Sequence, residues 1–425
     1  FLSRSQSVYE GLKSYQSKIN TKVSQDIDKI NKLGHKIHEL NQQISKIEAG
    51  GIETAMDLRD ERDLALDQLG ALAKISYKED YKGVVTVKLE DEYFVDELHT
   101  YEIGKKTDKL TGFITPYWPQ LSDTDRDIYV NVFDFNVDIS TALNSDVGEL
   151  KALIMSRGDH WADYSDIEGK GEQEYLDTTN LSVIIDMQAK LDQMVHNMIT
   201  AINDQLCPNV TGPVGVTYQD ANGNTVNLSD AKVLDTENCA RGSDGELPPR
   251  ELFVRAGIER YTEVTGSDGK TYYVYNEEDT SDTSYMYSLT SCGVNEELKK
   301  IETLFPHLKQ NGEVDQQLGE RLEALWNKDL VGLDPTDPDE CNIEEYYQKM
   351  IGGLATVGNV YQKKAENLAG SVLTIENNRQ QVIGVSSDEE LQNMIKFQNA
   401  YNASSRFMTV ISDMIEHIVT RLGNG

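Results

Sequence analysis

VYEGLKSYQSKINTKVSQDIDKINKLGHKIHELNQQISKI, residues 8–47, carries an apolar side chain at every third or fourth position from first to last. The series is Val8, Leu12, Tyr15, Ile19, Val23, Ile27, Ile30, Leu33, Ile37, Leu40, Ile44 and Ile47. Side chains so spaced fall on one face of an α-helix, so the stretch predicts a single amphipathic helix. At about 1.5 Å of rise per residue it reaches roughly 70 Å, longer than a globular domain requires. Gly50-Gly51 can end it. The segment that follows places Leu58, Ala65, Leu69 and Leu72 on one side and the run DLRDERD (57–63) largely on the other. This predicts a second helix lying antiparallel to the first, with a solvated face and an Arg59 to Asp63 pair four residues apart.

Working outward, all nine prolines lie between Pro116 and Pro338, which leaves both chain ends free to be long helices. From Ile75 to about residue 138 the apolar period changes to two, as in VVTVKLE and DIYVNVFDFNVDI, the signature of half-buried strands. GELKALIMSRGD (148–159) and LSVIIDMQAKLDQMVHNMITAINDQL (181–206) return to helical spacing. Residues 207–340 carry Asn222-Gly223 and Asp268-Gly269 hairpin signals, short helical patches near Glu296–Leu304 and Leu318–Trp326, and an Asp/Pro-rich stretch, LDPTDPDE (333–340), that reads as an exit linker. Ile343 to Val382 form another long stripe that includes Leu354, Val357 and Leu368. Gly384 can stop it, and Ser387 with Glu390 form a capping box for a last helix.

The expected fold class is α+β and multidomain, an elongated helical bundle built from both chain ends with inserted mainly-β domains. The expected divisions are a long-helix part at 1–74, a small β domain at 75–140 and returning helices at 141–206. A mainly-β insertion follows at 207–341, then a bundle helix at 342–384 and a terminal coiled-coil helix at 385–425. The bundle core is expected at Ile19, Val23, Ile30, Leu33, Ile37, Leu40, Ile44, Leu354, Val357 and Leu368.

Forty basic and seventy-two acidic residues give a net charge of −32. Such a chain repels phosphate backbones and anionic lipid headgroups, so neither nucleic acid nor membrane is an expected partner. No Sec-type signal opens the sequence, which begins on Phe1 rather than Met. Cys207, Cys239, Cys292 and Cys341 contain no CxxC pair; they are either free thiols or two disulfides in one of three pairings.

No catalytic, cofactor-binding or metal-binding constellation emerges. His35 and His38 lack the spacing of a zinc motif, and Asp123, Asp125 and Asp127 open like a calcium loop but meet Ile128 where glycine is required. Nucleotide-binding glycine patterns and a nucleophile elbow are absent from the sequence. What remains is association. Met394, Phe397, Tyr401, Met408, Ile411, Ile415, Ile418 and Leu422, with the polar Ser404 at the step between Tyr401 and Met408, continue a three-four spacing to the chain end, a coiled-coil seam that needs a partner.

The ending GVSSDEELQNMIKFQNAYNASSRFMTVISDMIEHIV resembles the C-terminal motif of bacterial flagellar axial proteins, through Gly384-Val385, Glu389-Glu390, Gln398, Ala400, Tyr401 and Ala403. INKLGHKIHELNQQI (30–44), DLRDERDLALDQLG (57–70), GELKALIMSRGD and GLATVGNVYQKKAENL (353–368) are similar to the hook-associated protein 1 family. The likeness covers residues 1 to about 205 and 342–425. It implies a non-enzymatic structural subunit without cofactors, joining hook to filament and self-associating in a ring. The implied partners are hook protein, hook-associated protein 3 and an export chaperone that binds the C-terminal helix. The implied location is extracellular, in the flagellum, reached by type III export. The resemblance also implies a further segment ahead of Phe1 that supplies the other half of the innermost coiled coil. The alternatives are another axial protein, hook protein or hook-associated protein 3, and an adhesive surface module formed by 207–341.

Overall fold

The structure, a computed structural model, describes residues 1–51, 54–135, 148–221, 223–383, 391–402, 404–406, 408 and 409. The fold is mixed α+β and divides into two compact units, Phe1–Leu354 and Ala355–Gly425.

In the first unit the opening stripe forms α1 (Leu2–Glu48). Ile19, Val23, Ile30, Leu33, Ile37, Leu40 and Ile44 are all buried along it. Alongside lies α2 (Met56–Leu72), which turns Ala65, Leu66, Leu69 and Leu72 inward. Its direction follows from side-chain pairs: Arg59 bonds Glu48, whereas Arg62 bonds Asn41. The solvated charge face expected of DLRDERD holds at Asp57, Asp60, Glu61 and Asp63, but not at Arg62 or in the Arg59 pairing. Arg62 is only 2% exposed and donates to the carbonyl of Gly83 at 2.6 Å and to Asn41 Oδ1 at 3.1 Å. Arg59 pairs with Glu48 and Glu79 at 2.6 and 2.7 Å rather than with Asp63. Carboxylates on neighbouring elements outcompete an exposed pair four residues away, which is worth only about 0.3–0.5 kcal/mol.

Strands β1 (Ile75–Glu79), β2 (Val85–Leu89) and β3 (Glu92–Val95) form an antiparallel meander in that order. Ile75 stands opposite Leu89, and the two-residue period buries Val85, Val87 and Leu89. A hairpin of β4 (Gly104–Thr107) and β5 (Ile114–Tyr117) follows. These strands share one core with α1, α2 and α3 (Glu149–Arg157), so the β region is a layer of the first unit. Gly34 lets the layer approach: a Cβ there would sit 2.6 Å from Phe94 Cζ.

Beyond α4 (Glu172–Asp177) comes α5 (Val183–Leu206), buried on most of its circumference. Strands β6 (Asn209–Thr211), β7 (Thr217–Gln219), β8 (Thr225–Asn227), β9 (Lys232–Leu234), β10 (Phe253–Val254), β11 (Tyr261–Thr265), β12 (Thr271–Tyr275) and β13 (Gly293–Val294) make small sheets. The largest has the order β11-β12-β9-β6. The β11–β12 turn places Gly269 at φ 79°, a conformation that glycine adopts without strain. Two short helices, α6 (Glu296–Lys300) and α7 (Gln316–Ala324), occupy the predicted helical patches.

LDPTDPDE is not a free linker. Leu333 and Asp334 are buried, Asp334 lies 2.9 Å from Lys190 Nζ, and Cys341 and Val331 form a bridge that closes the strap. The strap delivers α8 (Ile343–Ile383), whose first turns bury Ile343, Tyr346 and Met350. The core expected at Leu354, Val357 and Leu368 is absent: all three are exposed. Leu354 closes the first unit, and in the second unit α8 has no facing helix among the described residues to cover its stripe. Residues 391–402 are also helical, with Met394, Phe397 and Tyr401 exposed, as is Met408. Ile411, Ile415, Ile418 and Leu422, with Gly384, Ser387 and Glu390, lie outside the described residues.

Candidate functional site

The stripe of α1 does not change chemistry along its length, but its surroundings do. From Ile19 to Ile44 it faces the core, whereas Val8 and Tyr15 are each 56% exposed and, with Leu12, line one wall of an apolar groove of about 950 Å³. The other walls are the first turns of α5, through Ile184, Met187 and Leu191, and the root of α8, through Tyr347, Ile351 and Leu354. Trp326, in the helical turn after α7, contributes from the insertion and is half-exposed. Arg4 and Glu344 are the charged residues of the lining. Large aromatic and aliphatic side chains held open to water in one concavity mark an interaction surface rather than a reaction centre.

Away from the groove, α5 is held by partners on several elements. Gln188, Asp192, His196 and Asn203 make a polar stripe beside the apolar one, and each is buried and partnered. Gln188 donates to Gln16 on α1 at 2.9 Å. Asp192 accepts the backbone N–H of Tyr164 at 3.0 Å and that of Leu289 on its other oxygen. Burial pushes its carboxyl up to about 8, opposed by those two donors. The His196 ring stacks on Tyr164 with centroids 3.7 Å apart. Asn203 spans the root of the insertion, donating to Phe253 O at 2.8 Å and accepting from Leu252 N at 3.1 Å. Lys190 sits between Asp186 and Asp334, both at 2.9 Å, and ties α5 to the strap before α8.

Sequence reasoning named the α1 and α8 stripes but missed the polar stripe on α5. Its four-residue steps from Gln188 to Asp192 to His196 were a visible signal, since such a row inside a helix buried all round needs partners. His35 pairs with Glu102 at 2.6 Å and His38 contacts the Asp96 carbonyl at 3.2 Å, so they do not meet in one site. Asp123 caps a helical turn by accepting from Arg126 N, with Asp127 in the left-handed region at φ 58°. No cluster of three or more His, Cys, Asp or Glu is placed to hold a metal among the described residues. None of their helices is long and apolar enough to cross a membrane. All four cysteines are buried free thiols.

Residues 1–224 match the family model described as the flagellar hook-associated protein FlgK helical domain. The chain belongs to the FlgK family. A second model, the flagellar basal body rod FlgEFG protein C-terminal region, matches residues 380–421, a stretch that includes the exposed Met394, Phe397, Tyr401 and Met408. The chain is 23% identical over 438 residues to flagellar hook-associated protein 1 of Bacillus subtilis (strain 168), covering 98% of this chain and 69% of that one. A similar solved structure is the flagellar hook junction protein FlgK from Burkholderia pseudomallei, at 14% identity and a TM-score of 0.39. That likeness covers 72% of this chain, which spans about half, 54%, of the solved one. In this FlgK-family chain the groove walls from α1 and α5 fall inside the matched helical domain, whereas Trp326 and the α8 root lie beyond it.

Proposed function

We propose that this protein is a non-enzymatic structural subunit that joins hook to filament in the bacterial flagellum. The observation that carries the reading is the pair of uncovered apolar surfaces in a FlgK-family chain: the groove beside Val8 and Tyr15, and the exposed seam residues Val357, Leu368, Met394, Phe397, Tyr401 and Met408. Burying one large apolar side chain contributes about 1.5–3 kcal/mol, so several together supply the affinity of a permanent assembly. Self-association in a ring uses these surfaces, with hook protein on one side and hook-associated protein 3 on the other. The same seam is what an export chaperone covers before the subunit leaves the cell for the extracellular flagellum.

Deleting the gene tests the role. The expected result is hooks without filaments, with flagellin shed into the medium and restored to the cell by the wild-type gene. Filaments that stay attached to hooks in the deletion strain overturn it.

A further inference from the structure

We propose that Cys207 and Cys239 are a disulfide pair that closes when the chain folds in the presence of a low-molecular-weight disulfide, stapling the end of α5 to the sheet of the insertion. Three independent features bring them together. The ladder between β6 and β9 pairs Asn209 with Leu234, and it continues one step outward as the N–H of Asp235 donates to the carbonyl of Pro208 at 2.8 Å. From Asp235 the chain folds back, the N–H of Cys239 donating to the Asp235 carbonyl at 2.9 Å. One rung and one turn therefore separate the neighbour of Cys207 from Cys239, and the two thiols are near enough for one to raise the other's pKa. Both side chains enter the same apolar cluster with Leu206, Leu234 and Tyr261, whereas Cys292 and Cys341 lie in another. Finally, Pro208 and Cys239 line one cleft of about 690 Å³, an entry for a small reagent.

The surroundings assign the order of events. Burial pushes the Cys239 thiol up, opposed by the nearby Arg241 guanidinium, which favours the thiolate. Cys207 is fully buried and lines no part of that cleft; burial pushes its thiol well up, against the opposing charge of Arg260, and Glu251 and Cys239 add to the push. Cys239 is thus the attacking group, because the thiolate is the nucleophile. Its sulfur displaces one thiol from the small disulfide to give a mixed disulfide; Cys207 then attacks the Cys239 sulfur and releases the second thiol. Two protein thiols are oxidised and one small disulfide is reduced to two thiols, the protons passing from the cysteines to the leaving groups. The near-complete burial of both sulfurs slows the first attack once folding is complete, so the exchange belongs to the last stage of folding, when Arg241 is in place and the cleft still admits the small disulfide.

The test is to unfold the full chain in denaturant, refold it in a mixture of oxidised and reduced glutathione, and map the peptides. The expected result is a link between the peptides holding Cys207 and Cys239, two of the four thiols lost to titration, and an unfolding midpoint that falls when dithiothreitol is added. Cys292→Ser/Cys341→Ser should keep the link, and Cys207→Ser/Cys239→Ser should keep both remaining thiols titratable. Four free thiols after wild-type refolding, or a link involving Cys292 or Cys341, overturn the assignment without needing either variant to fold.

Discussion

The phenol of Tyr346, on the first turns of α8, donates to Oε1 of Gln193 on α5 across 2.8 Å, with both residues buried. The hydroxyl has one proton and three acceptors in reach, since the carbonyls of Lys190 and Leu333 lie at 3.0 and 3.4 Å. It is the peg that seats the root of α8 against the floor of the groove. Tyr346→Phe leaves the Gln193 amide oxygen without that donor, a loss of about 1–3 kcal/mol in denaturant-unfolding experiments. Hydrogen exchange should quicken over residues 343–354 while α1 from Ile19 to Ile44 keeps its protection.

Gly34 sits in the interior of α1, where alanine ordinarily stabilises a helix by about 1 kcal/mol. Here the added Cβ would meet Phe94 at 2.6 Å and Thr100 Cγ2 at 3.0 Å, and the Phe94 ring is fully buried with no room to retreat. Overpacking costs about 1–3 kcal/mol, so Gly34→Ala should destabilise on balance. Phe94→Leu in the same chain should recover part of the loss, a coupling that a double-mutant cycle measures.

His160 is bracketed by Asp159 at 2.6 Å on Nδ1 and Asp166 at 3.1 Å on Nε2. Those hydrogen bonds, Asp159 first, raise its ring to about 10 from 6.5. A base that holds its proton more tightly when folded stabilises fully below about pH 6.5 and loses that contribution as pH rises through 10. Its side chain is 43% exposed, so solvent screening trims the effect. The difference in urea midpoint between the wild type and His160→Gln should therefore shrink from pH 6 to above pH 10; a difference that grows with pH contradicts the bracketing.

Two substitutions on one helical stripe should part company. Tyr15→Glu, in the groove, should change stability by no more than about 0.5 kcal/mol, yet fail to restore filaments in the deletion strain. Ile30→Ala, in the core, should cost about 2–5 kcal/mol. Restored filaments with Tyr15→Glu would remove the groove from the assembly.

Periodicity made the elements legible, because Ile19 to Ile44 and the alternation of Val85, Val87 and Leu89 each write their buried face directly into the chain. Periodicity says that a face is apolar, not what covers it. The one unbroken stripe of α1 therefore passes from core to open groove without a change in residue type, and Leu354, Val357 and Leu368 look like core while standing exposed. Arg62 was misread because a charge run suggests solvent, although the steps from Leu58 to Arg62 to Ala65 placed it on the inner face. Asp334 lay beyond local reading altogether, since its partner Lys190 is distant in sequence and only the folded chain introduces them.

The contacts that finish the groove join the two extremes of the first unit. Gln6 donates to the carbonyl of Cys292 at 3.0 Å, Tyr9 donates to that of Ala162 at 2.6 Å, and Tyr346 reaches back to Gln193. Pairings so far apart along the chain close late and slowly. Whichever end of the chain emerges first, the groove cannot exist until both Tyr9 and Tyr346 are free to fold. A partly synthesised subunit is thus mute, and the surface that invites neighbours becomes available only once residues 1–354 have all been delivered to one place.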